Sequence, residues 1–264
     1  MLELNKIYNM DCFEFLEKID NGIIDLAVID PPYNMNKGKW DKFASQEAFF
    51  DFTYKWIDAV IPKLKNTGSF YVFNTPFNSA YILQYLISKG LVFQNWITWD
   101  KRDGFSATKK RYTNGQETIL FFTKNKEHNF NADKIRVPYE SKDRIKHAKV
   151  KGILKNGERW YPNPKGRLCG EVWHITSERL KNKVNGRTPK LPHATTKPLE
   201  LIERIINASS NKEDLVLDCF MGSGTTAIAC KELGRKFIGC DNNKGYVNTA
   251  RKRLHEIEKQ QKLT

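Results

Sequence analysis

The chain has 264 residues, of which 40% are hydrophobic and 28% charged, a composition that excludes a wholly disordered protein. This length suits one large α/β domain or a core with one sizeable insertion. Lysine and arginine number 44 against 30 acidic residues, so the net charge of +14 favours a polyanionic partner. A basic surface that only aids solubility is the alternative.

The sequence predicts neither a membrane-spanning segment nor a metal site. The apolar stretches are much too short to span a bilayer, and the first ten residues lack a charged-then-apolar leader, which predicts a cytoplasmic protein. The five cysteines include no C-x-x-C pair, and the five histidines are scattered. We therefore assign no disulfide and no metal site.

In chain order, the first third alternates between the periods of strands and helices. It predicts strands at 23–29, 69–73, 93–98 and 117–123, and helices at about 49–64 and 81–88. The last third resumes this alternation, with strands at 215–219 and 236–240 and helices at 197–208, 225–233 and 246–258. Such alternation is typical of a mostly parallel sheet covered by helices on both faces.

Residues 124–192 differ from both flanks. Basic residues, glycine, proline and asparagine dominate there, no long period is visible, and four aromatic residues are interspersed: Tyr139, Trp160, Tyr161 and Trp173. One interpretation is an irregular insertion packed on the core. We favour the other, a nucleic-acid contact region inserted into a single domain that spans 1–264.

A glycine turn begins the last βαβ unit. Gly222-Ser223-Gly224 follows a predicted strand and precedes a helix, and Asp241 ends the next strand, where a carboxylate accepts ribose hydroxyls. This arrangement predicts a nucleotide-like cofactor. A dinucleotide-binding motif has its third glycine at the position of Ala227, and a P-loop has a lysine at the position of Thr225. The sequence therefore matches neither motif. An adenosine ligand without a pyrophosphate fits better, which points towards S-adenosylmethionine.

Asp218, directly before this turn, is either a structural carboxylate at the end of a strand or a second ligand contact. We favour the ligand contact.

A second motif, Asp30-Pro31-Pro32-Tyr33, ends the first buried strand. The prolines make a stiff corner at the carboxyl edge of the sheet. The Asp30 carboxylate and a proline carbonyl are then able to accept both hydrogens of an exocyclic amino group, while Tyr33 offers a face for a planar base. Such acceptors favour a more pyramidal amino nitrogen as its charge develops. The alternative is a structural turn.

Together these motifs resemble the beta class of amino-group DNA methyltransferases, which have the D-P-P-Y corner first and the glycine motif last, a circularly permuted order. The likeness covers nearly the whole chain and includes His193-x-Thr195-x-Lys197-Pro198. It implies a Rossmann-like fold with a mostly parallel seven-stranded sheet, an inserted target-recognition region, S-adenosylmethionine as methyl donor and a base flipped out of double-stranded DNA.

The resemblance also assigns the site residues. The base-holding set is Asp30, Pro31, Pro32 and Tyr33. The cofactor set is Asp11, Asp30, Thr195, Lys197, Asp218, Phe220, Gly222, Ser223, Gly224, Thr225 and Asp241. Lys197 is expected near the cofactor carboxylate, and its alternative is a solvated lysine at the start of a helix. Asp241 replaces the glutamate that is common in the family.

Within this class, the run Phe93-Gln94-Asn95-Trp96-Ile97-Thr98-Trp99-Asp100-Lys101 is similar to the MboII type of restriction-modification methylases. That likeness implies N6-adenine methylation at a GAAGA-type site, guarded against a partner endonuclease, and by analogy a homodimer. Methylation of cytosine N4 is one alternative, although Asp at the head of the corner leans towards adenine. A non-catalytic DNA-binding protein that kept the fold is the other.

Overall fold

The computed structural model describes residues 2–105, 109–110, 112–178 and 196–261. Eight strands form its main sheet, in the order β1-β10-β9-β2-β3-β5-β4-β8, and β6 and β7 form a separate hairpin. The strands are β1 Lys6–Asn9, β2 Ile24–Ile29, β3 Leu64–Asn74, β4 Val92–Phe105, β5 Asn114–Thr123, β6 Ile153–Lys155, β7 Glu158–Trp160, β8 Val172–His174, β9 Leu215–Asp218 and β10 Lys236–Asp241.

Helices cover both faces of this sheet. They are α1 Cys12–Glu17, α2 Gln46–Val60, α3 Pro76–Ser88, α4 Lys142–Lys151, α5 Leu199–Ser209, α6 Thr225–Leu233 and α7 Lys244–Gln261. One buried cluster contains the apolar residues of α1, α2 and α3, and another contains those of α5, α6 and α7. None of the helices in the described part of the chain is long and apolar enough to cross a membrane.

Within the main sheet, five of the seven strand pairings are parallel, and only β5 pairs antiparallel with its two neighbours. The expectation of a mostly parallel Rossmann-like sheet is therefore confirmed. The expected count of seven strands was one too low. The additional strand is β8, three residues long, which comes from the segment predicted as an insertion and pairs with β4 at the edge of the sheet.

That segment also has more regular structure than its sequence predicted. Helix α4 and the β6–β7 hairpin lie within it. Trp173 in β8 is 5% exposed and joins the core of the sheet, so it is not one of the aromatic residues that face a ligand. Trp160 and Tyr161 are about half exposed, at 45% and 54%.

Candidate functional site

Five parallel strands end at one edge of the sheet, and a polar residue stands at or just after the end of each. In sheet order these residues are Asp11 after β1, Asp241 in β10, Asp218 in β9, Asp30 after β2 and Asn74 in β3. Ligands of open α/β sheets bind at this carboxyl edge. The two motifs lie on adjacent strands, because Leu26 of β2 pairs with Val216 of β9.

A buried carboxylate shapes the chain after the two prolines. Asp41 is fully buried and accepts four backbone N–H bonds, from Tyr33 (2.6 Å), Asn34 (2.8 Å), Met35 (3.0 Å) and Lys37 (3.0 Å). Such bonds to an ionised acceptor are among the stronger hydrogen bonds in proteins. They wrap the segment around Asp41 and fix the backbone of Tyr33. Asp41 was not predicted from the sequence.

At the head of the corner, Asp30 is bound by a lysine that lies 167 positions away in sequence. The Nζ of Lys197 is 2.7 Å from each carboxylate oxygen of Asp30, and the Tyr33 hydroxyl is 2.8 Å from Oδ1. The side chain of Lys197 is only 7% exposed. The alternative of a solvated lysine is therefore wrong.

A second acid completes this group. Glu117 of β5 lies 3.3 Å from the Lys197 ammonium and 3.1 Å from the Tyr33 hydroxyl, and its other oxygen lies 3.1 Å from Lys101. From the sequence, Glu117 was predicted only as the start of a strand. No local motif marks it, because its partners come from three other parts of the chain.

The charges of this group support one another. Burial opposes the charge of Lys197, but attraction by Asp30 and Glu117 outweighs it and raises the pKa of the ammonium. Burial likewise opposes ionisation of Glu117, yet Lys197 and Lys101 lower the pKa of that carboxyl. Burial, then Asp30 and Glu117, raise the pKa of Tyr33 well above its usual value. The tyrosine therefore stays protonated and donates a hydrogen bond.

Aromatic rings enclose the same ammonium. The Nζ of Lys197 lies 5.2 Å from the ring centroid of Tyr33, 5.3 Å from that of Phe73 and 6.0 Å from that of Trp99. Ring faces attract cations, and more strongly away from water. The corner thus holds a cation between aromatic faces and carboxylates.

Two side-chain carboxylates hold the backbone of the glycine turn. The backbone N–H of Phe220 donates to Asp218 (3.0 Å), and that of Gly222 donates to Asp241 (2.9 Å). Burial raises the pKa of Asp218 to about 7, although the Thr226 hydroxyl and the Phe220 N–H lower it in part. Phe220 itself packs edge-on against Trp56 at 5.7 Å.

Packing explains the second glycine of the turn. Gly224 has φ of +84°, and a Cβ there would meet the Cβ of Ala250 in α7 at 2.7 Å. Gly222 also has positive φ, at 52°. At the N-terminus of α6, the buried hydroxyl of Thr225 has no hydrogen-bond partner among the described residues. This hydroxyl and the free N–H groups of the helix fit a polar ligand at the turn.

Other residues of the predicted cofactor set have contacts of their own. Asp11 caps α1 by accepting from the Phe13 N–H at 2.8 Å. The Ser223 hydroxyl lies 3.1 Å from that of Thr196, so the turn contacts the segment that leads to Lys197. Thr195, and His193 of the same motif, lie outside the described residues.

A basic surface lies on the inserted segment. Exposed cationic side chains of α4 and the adjoining hairpin include Lys146, Lys149, Lys151 and Arg159. The ring of Tyr161 packs over Gly152, where a Cβ would meet it at 3.1 Å. Helix and hairpin therefore form one unit with positive charge and exposed aromatic rings, as nucleic-acid contact surfaces have.

Comparison with known proteins identifies the family. A family model described as DNA methylase, covering N6 and N4 methylases, matches residues 24–252. The chain belongs to this family. The match includes both motifs and the segment between them, and it confirms the expected beta-class amino-group DNA methyltransferase of restriction-modification type.

Curated relatives cover nearly the whole of this methyltransferase. It is 65% identical to the Type II methyltransferase M1.MboII of Moraxella bovis, over 98% of this chain and 99% of the relative. It is 35% identical to M.HpaI of Haemophilus parainfluenzae, over 90% of this chain and 70% of that one.

Solved structures share its fold. The complex of M1.HpyAVI with SAM is 29% identical, with a TM-score of 0.61 over 94% of this chain and 99% of that one. The cytosine-N4-specific PvuII methyltransferase has a TM-score of 0.69 over 94% of this chain and 85% of that one. At 19% identity, the latter bears on the fold alone.

Proposed function

We propose that this methyltransferase transfers a methyl group from S-adenosylmethionine to N6 of adenine in double-stranded DNA, as the modification enzyme of a restriction-modification system. The observation that carries the proposal is the pairing of β2 with β9. Because these strands are adjacent, the Asp30 corner and the glycine turn leave the sheet side by side. An amino group held at the first then faces a methyl donor held at the second.

The glycine turn and its neighbours hold the cofactor in this proposal. Asp241 at the end of β10 meets the ribose, Asp218 and Phe220 line the turn, and the hydroxyl of Thr225 meets a polar group. S-adenosylmethionine supplies a methyl group activated by a sulfonium. The SAM complex of M1.HpyAVI supports this choice of donor.

The corner holds the base. Asp30 Oδ2 accepts from Lys197, and a carboxylate oxygen accepts two bonds, so it is able to receive an amino hydrogen of the base as well. A proline carbonyl accepts the other hydrogen, and the Tyr33 ring stacks on the base. Asp rather than Ser at the head of the corner favours adenine over cytosine.

The inserted segment, 124–192, reads the DNA in this proposal. The cations of α4 neutralise phosphates, and the hairpin approaches the bases. The identity with M1.MboII supports a GAAGA-type site and a partner endonuclease that cuts there. A homodimer is proposed by family analogy alone.

Labelled cofactor tests the proposal. The protein is incubated with methyl-labelled S-adenosylmethionine and either a duplex containing GAAGA or one of the same composition with the site shuffled, and the labelled nucleoside is identified. We expect N6-methyladenine on the GAAGA duplex only. N4-methylcytosine would overturn the choice of base, and equal labelling of both duplexes would overturn the site. No transfer in any duplex would favour a non-catalytic DNA-binding protein.

A further inference from the structure

Glu117 contacts the reactive corner without belonging to either sequence motif. It lies in β5, and its side chain is 16% exposed. Its two oxygens have different partners: Oε1 meets Lys101, and Oε2 meets both Lys197 and the Tyr33 hydroxyl. A carboxylate is costly to bury unless it is paired and hydrogen-bonded, and here both conditions hold.

These side chains form a charge-balanced quartet, defined as Lys101, Glu117, Lys197 and Asp30. Its two cations and two anions alternate, with separations of 3.1 Å, 3.3 Å and 2.7 Å from Lys101 to Asp30. Lys197 is the shared partner of both acids. Without Glu117, the two ammonium groups of the quartet would share Asp30 as its single carboxylate.

The tyrosine hydroxyl gives Glu117 a more specific role. Tyr33 has one hydroxyl hydrogen, and Asp30 Oδ1 at 2.8 Å and Glu117 Oε2 at 3.1 Å are both within reach. One hydrogen serves only one acceptor at a time. When it is donated to Glu117, Asp30 Oδ1 gains capacity to accept a hydrogen from the amino group of a base.

We propose that Glu117 is a positioning residue for methyl transfer, which holds the Lys197 ammonium at Asp30 and takes the Tyr33 hydroxyl hydrogen when the base arrives. This inference rests on the proposed function of the corner. Glu117 acts through Lys197 and Tyr33 and touches no reacting atom.

Replacement by the isosteric amide tests this role. Glu117→Gln keeps the size of the side chain and an acceptor oxygen but removes the charge. We expect kcat for methyl transfer to fall roughly 100-fold, as misplacement of a reacting group by about 1 Å does. KM for DNA and the Kd for S-adenosylmethionine should change less than threefold. Glu258→Gln, which removes an acid from the surface pair with Lys231, is the matched control and should leave kcat unchanged.

The pH profile separates positioning from mere folding. Among the described residues, the groups facing Lys197 are Asp30 and Tyr33 from the corner and Glu117 from β5, with Lys101 behind Glu117 and Asp218 near Asp30. Loss of the Glu117 charge lowers the pKa of the buried ammonium. The alkaline limb of kcat should therefore move to lower pH in Glu117→Gln. In Glu117→Asp, which restores the charge, it should lie closer to the wild-type position.

Each result decides for or against the proposal. Wild-type kcat in Glu117→Gln would overturn it, as would a lower kcat with an unchanged pH profile and a matching loss of protein able to bind S-adenosylmethionine. If Glu117→Gln does not fold, the decision falls to kcat of Glu117→Asp, whose shorter side chain withdraws the carboxylate from Tyr33 and Lys197. A reduced kcat would support positioning, and full wild-type kcat would count against it. An inactive wild type would instead refute the proposed function itself.

Discussion

The corner after β2 and the glycine turn after β9 begin alike, each with an aspartate that ends a buried strand, yet they are held by different forces. At the corner, Asp30 is bound by a lysine and neighbours a second acid–lysine pair. At the turn, Asp218 accepts from a backbone N–H, and no cation of the described residues pairs with it. Asp30 is thus paired with a cation, whereas burial raises the pKa of Asp218 and favours its neutral form.

The difference matches the two proposed tasks. An amino nitrogen becomes positive as it takes up a methyl group, so a fixed carboxylate lowers the energy of that change. Binding of a cofactor with hydroxyl groups needs acceptors and close backbone approach more than net charge. In the proposed function, the same residue type thus serves chemistry on one strand and recognition on the next.

The sharpest separation of these tasks is expected from Asp30→Ala. We predict that methyl transfer falls roughly 1,000-fold, because the acceptor for the amino group is lost. Cofactor affinity should stay within threefold. Single-turnover transfer and calorimetric titration with S-adenosylmethionine measure the two quantities. Asp218→Asn is the matched control and should weaken cofactor binding more than it slows transfer. Parallel losses of affinity and turnover in Asp30→Ala would erase the distinction between the two sites.

The corner should also depend on Asp41 for its shape. In Asp41→Asn, one acceptor oxygen becomes an amide that faces backbone donors. We expect the free energy of unfolding to fall by about 3 kcal/mol, because each oxygen accepts two of the four bonds and the replaced oxygen loses its two, at about 1.5 kcal/mol each for a charged acceptor. Urea unfolding measures the loss. Asp51→Asn, on the exposed face of α2, should change stability by less than about 0.5 kcal/mol. Equal stability of both variants would mean that Asp41 is not what holds the corner.

The elements of the fold also differ in how well the sequence predicted them. The strands of the core were found because continuous apolar runs mark strands buried on both faces. The helix Thr225–Leu233 was predicted with the bounds that the structure has. Helix α4 was missed because it is almost wholly polar, with Ala148 its one buried residue among those whose side chains are described, so no apolar stripe marks it.

Local sequence signals also determine which residues of the site were predicted. Asp30 and the glycine turn were predicted because the prolines and glycines of their motifs constrain the backbone at those positions. Glu117 has no such signal, since its role depends on Lys197, which is brought near by the fold. Asp41 has a weak local signal, because the nearby Asn34 and Asn36 are residues that tolerate positive φ, and in the structure both adopt it in the tight loop around Asp41.

Gly224 tests whether packing holds the turn. We predict that Gly224→Ala lowers the free energy of unfolding by about 3 kcal/mol, from positive φ and overlap with Ala250 together. Gly90→Ala is the matched control, because Gly90 has φ of +82° and open space around it, so only about 1 kcal/mol of backbone strain is expected. Thermal unfolding compares them, and Ala250→Gly should recover part of the loss in Gly224→Ala. Equal losses at the two glycines, with cofactor binding abolished only at Gly224, would favour ligand approach over packing.

A pH dependence of stability is also expected, and it arises at the turn. The pKa of Asp218 is about 7 in the folded protein, against 3.8 as its ordinary value. Between these values the folded state binds the proton more tightly than the unfolded state, so this group's contribution to stability falls as pH rises from about 4 to 7 and is constant above. Asp218→Asn mimics the neutral form. Its stability relative to wild type should therefore increase over that range, as urea unfolding at pH 4.5, 6 and 8 would measure. A constant difference would mean that Asp218 is ionised throughout, and that the turn, like the corner, contains a stabilised charge.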